Sequence, residues 1–595
     1  MTGAGDAPSR AQQEVIELPA TARTFVSAGP GTGKTWTLLR RAVRLVDGEQ
    51  LAPSDLLMLS FTRSVVHELG RRDRRDHIRR SAFPETFDSF ASRLLRENAP
   101  DDRWTRYGFD RRIVAAIELL ASGAAAPTLE PIVHVFVDEV QDLVGARAMF
   151  VASLLQACGC GFTTFGDPAQ AIYDHEIGAG GGPSLIVRLN DLADRRQELE
   201  GNRRSDDGLA RTLREVRGAL MCGEDISAVP ASDAFARMDT LGPWEDLSAM
   251  VPLLPGDRAI LCRDNATALL MSRALHENGV VHRVRRGAAD RAVAGWVAPV
   301  LAGASTSTRD RVDERLAELE AVGFPGLPQP DDAWALLCRL DPGGRGMTVR
   351  THEAAGRIGA GADLPPELID EPDHSLVVSS IHRAKGLEFD RCVVVEWPHR
   401  KDENVEQARL EERVLFVAMS RAREVVVHGG ARQGGDRWIR SRDAKGRLIK
   451  PGGQAWQTFG MEIQGDDVHA VEPAGAVVVD EDAMEIQRRL EERVRPGDAV
   501  VLLLRGTFEY RRRPLPVYAL MHDAGLVGIT GEQFGDAIRA RAPRRVPARI
   551  VNVRVDDLET VKGSVETGEA AGLGRSGLWL RPRLVGLGDF DWEAV

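Results

Sequence analysis

The sequence is short of the features that would give a chain an easy label. Its 595 residues hold six cysteines, Cys158, Cys160, Cys222, Cys262, Cys338 and Cys392. Only Cys158 and Cys160 lie close together, and no second Cys/His pair at zinc spacing accompanies them. That pattern points to buried reduced thiols and to neither a structural metal nor an iron–sulfur site. Long apolar runs are missing too: the longest, such as Ala499–Leu504, are far too short to cross a bilayer. No apolar signal core opens the sequence, so the expected location is cytoplasmic. Positive charge is not in surplus either. A net charge of -11 argues against wholesale coating of nucleic acid but leaves room for a local basic groove, because binding answers to the patch and not the sum. No internal repeat is apparent. What remains is an ordinary globular composition, 43% apolar and 28% charged, in a chain long enough for several domains.

Against that background one stretch stands out, Ala28-Gly29-Pro30-Gly31-Thr32-Gly33-Lys34-Thr35. Thr24–Ala28 before it is β-prone, and Leu38, Leu39, Ala42, Val43 and Val46 after it fall at helical spacing, so the segment reads strand, glycine turn, helix. Such a turn cradles phosphate. Glycines let the backbone N–H groups point inward, the helix N-terminus adds positive potential, Lys34 reaches the outer phosphates and the Thr35 hydroxyl can ligate Mg²⁺. Upstream, Gln12 and Gln13 lie on a short amphipathic stretch; a carboxamide carries the donor and acceptor that an adenine edge requires, although either glutamine alone reads as a solvated helix residue.

Further on, Leu56–Ser60 reads as a core strand running into Phe61, Thr62 and Arg63, and the basic run Arg71–Arg80 as a solvated helix face. Phe61 and Phe87 sit at strand exits beside hydroxyls, as base-stacking platforms or as core. Ile132–Val137 is a buried-type strand with Asp138-Glu139-Val140-Gln141-Asp142 at its end, where nucleotide chemistry places a Mg²⁺ partner and a base for the attacking water. Phe162–Phe165 leads to Gly166-Asp167-Pro168-Ala169-Gln170-Ala171-Ile172-Tyr173. Ala259–Arg263, Val377–Ile381 and Arg391–Glu396 read as strands of a second α/β unit, and Leu410–Arg423 as a helix.

In that order the segments resemble a UvrD/Rep-type superfamily 1 helicase. Gln12 matches the family's adenine-reading glutamine and Ala28–Thr35 its phosphate loop. Ser60–Arg63 and Thr86-Phe87-Asp88-Ser89 resemble its early DNA-contact motifs, Asp138–Asp142 its DExQD, Gly166–Tyr173 its GDxxQSIY, and Leu199–Ser205 its LEQNYRS. Ser380–Phe389 resembles TLHxAKGLEF, and Glu411–Arg423 resembles EERRLxYVxxTRAR. The ordered set spans residues 12–423. The resemblance implies ATP and Mg²⁺ as cofactors. Lys34 and Thr35 would hold phosphate and metal, Asp138 would support the metal, and Glu139 would orient and deprotonate the water. Gln170 would contact the γ-phosphate, and Arg204 and Arg421 would serve as arginine fingers. Trp36, Arg203 and Glu388 join the nucleotide set, while Phe61, Thr62, Arg63, Thr86, Phe87, Tyr173 and His382 match DNA-contact positions.

Three departures qualify the resemblance. After Tyr173 the family carries a tryptophan and an arginine where this chain has Asp174-His175-Glu176, an acidic pair that repels phosphate. At the adenine the family places arginine after the phosphate-loop threonine and tyrosine in its fourth motif; here Trp36 and Arg203 exchange the planar pair, which can still sandwich a base because indole and guanidinium both stack. The insertions are also short.

The expected fold is α/β: two RecA-like P-loop motor domains with reduced helical insertions and a C-terminal β-rich domain. The boundaries are 1–205, with a short insertion at about 91–131, and 206–428, with an insertion at about 286–372. A linker at 429–454 then leads to the β-rich domain at 455–595. Arg511–Arg513 and Arg539–Arg549 make that last region basic in the middle, as a solvated surface or as a DNA- or partner-binding face. The function implied is a 3′→5′ ATP-dependent DNA helicase acting on single-stranded and 3′-tailed DNA in repair, recombination or phage defence. The alternative is a nucleic-acid-stimulated ATPase that displaces or clamps partners without robust unwinding.

Overall fold

The computed structural model describes residues 7–60, 85–99, 101, 103–104, 107–173, 185–222, 229–287, 290–344, 346–361, 364–369, 371, 374–397, 404–435, 437–441, 446–452, 458–474, 476, 481–510 and 513–593. The expected contacts Phe61, Thr62 and Arg63, the basic run Arg71–Arg80, the Asp174–Glu176 departure and Arg511–Arg512 lie outside these. The chain forms two compact units. One comprises Met1–Leu241 with Ala384–Gly429, the other Gly242–Arg383 with Gly430–Val595.

The first unit is built on a six-stranded sheet. Its strands are β1 (Arg23–Ala28), β2 (Leu56–Ser60), β3 (Glu85–Thr86), β4 (His134–Val137), β5 (Gly161–Gly166) and β6 (Arg195–Leu199), in the order β3-β2-β4-β5-β1-β6. Every pairing is parallel. Parallel strands are covered on both faces, so their sequences are nearly continuous apolar runs. Alternate residues separate cleanly: Phe25, Leu57, Val135 and Phe162 enter one core, while Val26, Met58, Phe136 and Phe165 enter the other. Helix α1 (Arg10–Ile16) precedes β1, and α2 (Lys34–Glu49) follows it. Two further parallel strands of this unit, Phe389–Val395 and Ala422–Gly429, pair with each other. The expected helix at Leu410–Arg423 lies earlier, at Val405–Met419.

One residue on α2 departs from the helical reading. Arg41 is fully buried in the apolar stripe, where its guanidinium donates to Thr163 Oγ1 at 2.9 Å and to the carbonyls of Val15, at 2.9 Å, and Pro19, at 3.1 Å. It thereby ties α2 to the end of α1. Burial lowers its pKa to about 10. Phe87, a proposed stacking platform, is corrected to core: it is 2% exposed and packs with Phe90, Leu94 and Phe150, at the start of helix Phe87–Asn98.

The second unit holds three parallel strands, Arg258–Cys262 and Arg283–Val284 flanking Leu376–Ser380, and a large antiparallel sheet. The antiparallel strands run, in spatial order, Ile439–Arg440, Leu448–Pro451, Thr458–Ile463, Leu578–Asp591, Arg549–Lys562, Ala499–Tyr510, Arg513–His522 and Gly525–Ile529. The first two fall in the stretch read as a linker, so that reading is corrected: short strands with little apolar alternation carry no sequence signal of their own. Val293–Ala294, from the expected insertion, also pairs with Arg549–Lys562. The insertion helices and this sheet share one core, with Trp296, Val312, Leu337 and Ile358 packed in the same cluster as Leu502, Tyr518, Ile550 and Leu580. All six cysteines are free, but only Cys262 and Cys392 are buried, so the expectation of buried thiols holds for two of them. No helix among the described residues is long and apolar enough to cross a membrane.

An ionic cluster lies within the second unit. Arg583, 2% exposed, donates to Glu559 Oε2 at 2.9 Å and also binds Asp290, while Arg581 shares the Glu559 carboxylate. Removing one partner of a buried pair leaves an uncompensated charge. Glu559→Ala is expected to lower unfolding free energy by about 3–5 kcal/mol, measured by chemical denaturation. A loss under about 1 kcal/mol would mean that water already compensates the cluster.

Candidate nucleotide site

The site lies within the first unit, at the C-terminal ends of β1, β4 and β5. Between β1 and α2 the loop turns twice through left-handed backbone, at Gly31 (φ 72°) and Gly33 (φ 81°). A side chain at either point would fill the concavity. A Cβ on Gly31 would stand 2.0 Å from Asn202 Oδ1, and one on Gly33 2.7 Å from Gln12 Nε2. The rim is therefore made by other segments. Arg203 N–H donates to Gly31 O at 2.9 Å, and Gln12 Nε2 donates to Thr32 O at 2.9 Å. Gln12 also completes a capping box at the start of α1, accepting from Ser9 N at 2.8 Å. Each half of its carboxamide thus keeps one further hydrogen-bonding position, a lone pair and an N–H.

The acidic side of the site begins where β4 ends. Asp138 is 2% exposed and accepts from the Glu139 N–H at 2.9 Å. Glu139 sits in left-handed backbone (φ 51°, ψ 45°), an unusual conformation for a non-glycine residue. Its carboxylate takes the Lys34 ammonium at 3.2 Å and the Gln141 amide. Burial alone would raise the Glu139 pKa, but the Lys34 charge and these hydrogen bonds outweigh it and hold the group well below the usual carboxylate range. Asp138 goes the other way, pushed up by burial and by the neighbouring Glu139 charge. Asp142 is raised by burial in spite of its contact with Lys385.

A second layer of side chains comes from far along the chain. Gln141 Oε1 accepts from Asp167 N at 3.0 Å, and Gln170 Nε2 donates to Asp167 Oδ2 at 2.8 Å. Arg421, buried, donates through Nη2 to Gln170 Oε1 at 3.1 Å and to Ser420 Oγ at 2.8 Å. Burial, with the nearby Arg204 charge, lowers its pKa. Lys385 reaches Gln170 O at 2.6 Å, and its ammonium lies 5.3 Å from the centre of the Tyr173 ring. Arg204 is paired with Glu388 at 2.6 Å, and Glu388 also faces Arg423 at 3.6 Å.

Of the expected residues, Lys34, Glu139, Gln170 and Arg421 are thus joined by one hydrogen-bonded chain that runs through Gln141 and Asp167. Thr35 follows Lys34 on α2. Trp36 is partly buried, with the Arg40 guanidinium 5.3 Å from its ring centre, and Arg203 donates to Ala7 O at 2.9 Å. Thr86 caps the helix Phe87–Asn98, accepting from Ser89 N at 3.2 Å. His382, partly buried, belongs to the second unit. Sequence reasoning gave no role to Asn202, Gln141, Asp167 or Lys385, although all four lie inside quoted motifs. Their side chains bind protein groups, and spacing along the chain does not report that.

The residues fit a nucleoside triphosphate with a divalent cation. The glycine cradle is closed to side chains, a lysine stands at the helix start, and a hydroxyl and a buried carboxylate supply hard oxygen donors. Among the described residues no group of three or more His, Cys, Asp or Glu could hold a metal unaided.

Two parallel α/β layers and a phosphate loop beside a carboxylate-bearing strand end define a P-loop nucleoside triphosphatase with two RecA-like domains. The family model for the UvrD/REP helicase N-terminal domain matches residues 9–107, and that for the UvrD-like helicase C-terminal domain matches residues 375–427. The two matches support a UvrD/Rep-type superfamily 1 helicase. Helicase domains of this kind support an ATP-driven enzyme and imply nucleotide hydrolysis with a divalent metal on a DNA substrate. Among solved structures it is similar to the Pif1 helicase of Candida albicans, at 15% identity over 72% of this chain and 94% of that one, with a TM-score of 0.35. No curated protein matches it.

Gly31→Ala is expected to weaken binding of a fluorescent ATP analogue by at least about tenfold, because the new methyl meets Asn202 and the backbone is left-handed. Unchanged affinity in a nucleotide titration would mean that the loop opens away from Asn202 before nucleotide enters.

Proposed function

We propose that this chain is a DNA-stimulated ATPase that moves 3′→5′ along single-stranded DNA and unwinds 3′-tailed duplexes, serving repair, recombination or phage defence in the cytoplasm. The observation that carries the reading is the Gln170–Arg421 hydrogen bond, between residues 251 positions apart, joined through Asp167 and Gln141 to the Lys34–Glu139 pair. Residues 1–205 and 206–428 are taken as the two motor domains.

Lys34 holds the outer phosphates, and Thr35 and Asp138 hold Mg²⁺, which when bound neutralises charge on the phosphates. Glu139 orients the attacking water and takes its proton. Gln170 positions the γ-phosphate, while Arg204 and Arg421 meet charge at the transferring group, a contribution of about 10³ to 10⁵ in rate for such arginines. Gln12 reads the adenine edge, Trp36 and Arg203 stack on its faces, and Glu388 orients Arg204. Single-stranded DNA is held by Thr86, Tyr173 and His382 together with Phe61, Thr62 and Arg63. Base stacking of this kind is sequence-blind and is worth about 1–3 kcal/mol per base.

Asp174-His175-Glu176 favours a second reading. An acidic run where the family carries tryptophan and arginine weakens the hold on phosphate, as in an ATPase that displaces or clamps partners with little unwinding.

Steady-state hydrolysis without nucleic acid, with single-stranded DNA and with single-stranded RNA decides between them. DNA-specific stimulation, followed by unwinding of 3′-tailed but not 5′-tailed duplexes, is the expected result; a rate unmoved by either polymer favours the clamp. Glu139→Gln should cut kcat by about 10²- to 10⁴-fold and keep ATP binding, and full activity would remove Glu139 from the base role. Trp36→Ala should weaken ATP binding; unchanged affinity would exclude the exchanged sandwich.

A further inference from the structure

Arg217 belongs to none of the helicase-like motifs, yet it meets one of them at Asp167 and the residues immediately before two others, Ser27 and Glu198. It lies on the helix Asp207–Cys222 with its side chain 13% exposed. Nε donates to Asp167 Oδ1 at 3.0 Å, Nη1 to Glu198 Oε1 at 2.7 Å and Nη2 to Ser27 Oγ at 2.8 Å. Those partners stand side by side, because Ser27 on β1 is in register with Gly166 on β5 and with Glu198 on β6. The planar fork of one guanidinium therefore staples the C-terminal ends of three adjacent strands, and each strand runs directly into a functional loop. The phosphate loop starts at the residue after Ser27, the turn bearing Gln170 starts at Asp167, and Arg204 follows Glu198 closely. The loop also rests on the arginine: a Cβ on Gly29 would stand 2.8 Å from Arg217 Cδ.

Asp167 is what gives this staple a consequence for chemistry. It is fully buried, and its second oxygen accepts from Gln170 Nε2 at 2.8 Å, leaving Gln170 Oε1 to face Arg421. A buried carboxylate keeps its place only with a cation to match it, and Arg217 is its ion-pair partner. We propose that Arg217 is a positioning residue for nucleotide hydrolysis, fixing Asp167 and through it Gln170 against the phosphate loop. This rests on the reading of the chain as an ATPase in which Gln170 meets the γ-phosphate. A lysine at 217 could match the Asp167 charge but could not span to Ser27 and Glu198 as well.

The test is steady-state ATP hydrolysis with saturating single-stranded DNA on wild type, Glu139→Gln, Arg217→Met, Arg217→Lys, Asp167→Asn and the double variant Arg217→Met/Asp167→Asn. Affinity for a fluorescent ATP analogue is measured beside each. Arg217→Met is expected to lose about ten- to a hundredfold in kcat, as a displaced active-site group does, with affinity within about threefold of wild type. The double variant should be no worse than about twofold below its more damaged single parent, since both changes break one relay. Arg217→Lys should recover part of kcat. Should Arg217→Met fail to fold, Asp167→Asn and Arg217→Lys make the same comparison from either end of the pair. An Arg217→Met enzyme with wild-type kcat, or a double variant whose loss is the product of its parents' losses, would overturn the relay alone. A lysine variant as impaired as the methionine one in both kcat and affinity would reduce Arg217 to scaffold. A wild type with no hydrolysis above an enzyme-free blank would overturn the ATPase reading and the relay with it.

Discussion

The stretch Asp138–Asp142 sets three carboxylates at the end of one strand, two of them buried, and that concentration of negative charge governs the rest of the nucleotide face. Buried anions persist only where cations and hydrogen-bond donors match them. Lys34, at the start of the helix that follows the phosphate loop, matches Glu139, and Lys385 matches Asp142. The left-handed turn at Glu139 directs its carboxylate to Lys34 and Gln141 while Asp138 takes the backbone N–H. Two lysines from segments hundreds of residues apart in sequence are thus drawn to one strand end by the same need. The acidic cluster fixes the phosphate loop and the Lys385 segment relative to one another within the unit.

On the proposed reading, the same ion pairs are stand-ins for ligand contacts. Lys34 lies on a carboxylate and Arg204 on Glu388, each a cation expected to face phosphate. An entering triphosphate carries more charge than either carboxylate and competes for both cations, so binding exchanges contacts and leaves no charge bare. The difference between the two sets of contacts is what allows nucleotide to bias one conformation over another. Gln170 and Arg421 already touch, which preorganises their side of the site, in keeping with a transition state met by groups that need little rearrangement.

Much of this face was legible because motif residues lie next to strongly patterned strands. His134–Val137 and Gly161–Gly166 are buried parallel strands, and the acidic turn and the glycine turn fall at their ends as the chemistry requires. The misreadings share a cause. Phe87 carries the same residue type whether it faces DNA or core, and only the helix it opens turns the ring inward. Arg41 and Arg217 look like ordinary charged positions on amphipathic helices, yet each is recruited by carbonyl or carboxylate groups from other segments. The stretch 429–454, rich in glycine and charge, becomes sheet only because a long neighbour, Thr458–Ile463 beside Leu578–Asp591, offers it an edge.

The second unit follows a different logic, in which length substitutes for motif. Arg549–Lys562 and Leu578–Asp591 are fourteen residues each and pair nearly end to end. Such strands expose more apolar face than one small domain encloses, and the helices of the reduced insertion cover it, placing Trp296, Val312 and Leu337 in the common core. Charge reinforces the join: Arg286 reaches Asp556 and Asp557, both at turns of register in the long strand, and Arg583 reaches Asp290. These residues come from opposite ends of the unit's sequence, so neither the insertion nor the β-rich region holds a complete set of partners by itself. A short insertion and a terminal sheet that each bury the other's apolar surface and satisfy the other's charges form one structural body, in spite of the compositional break between them.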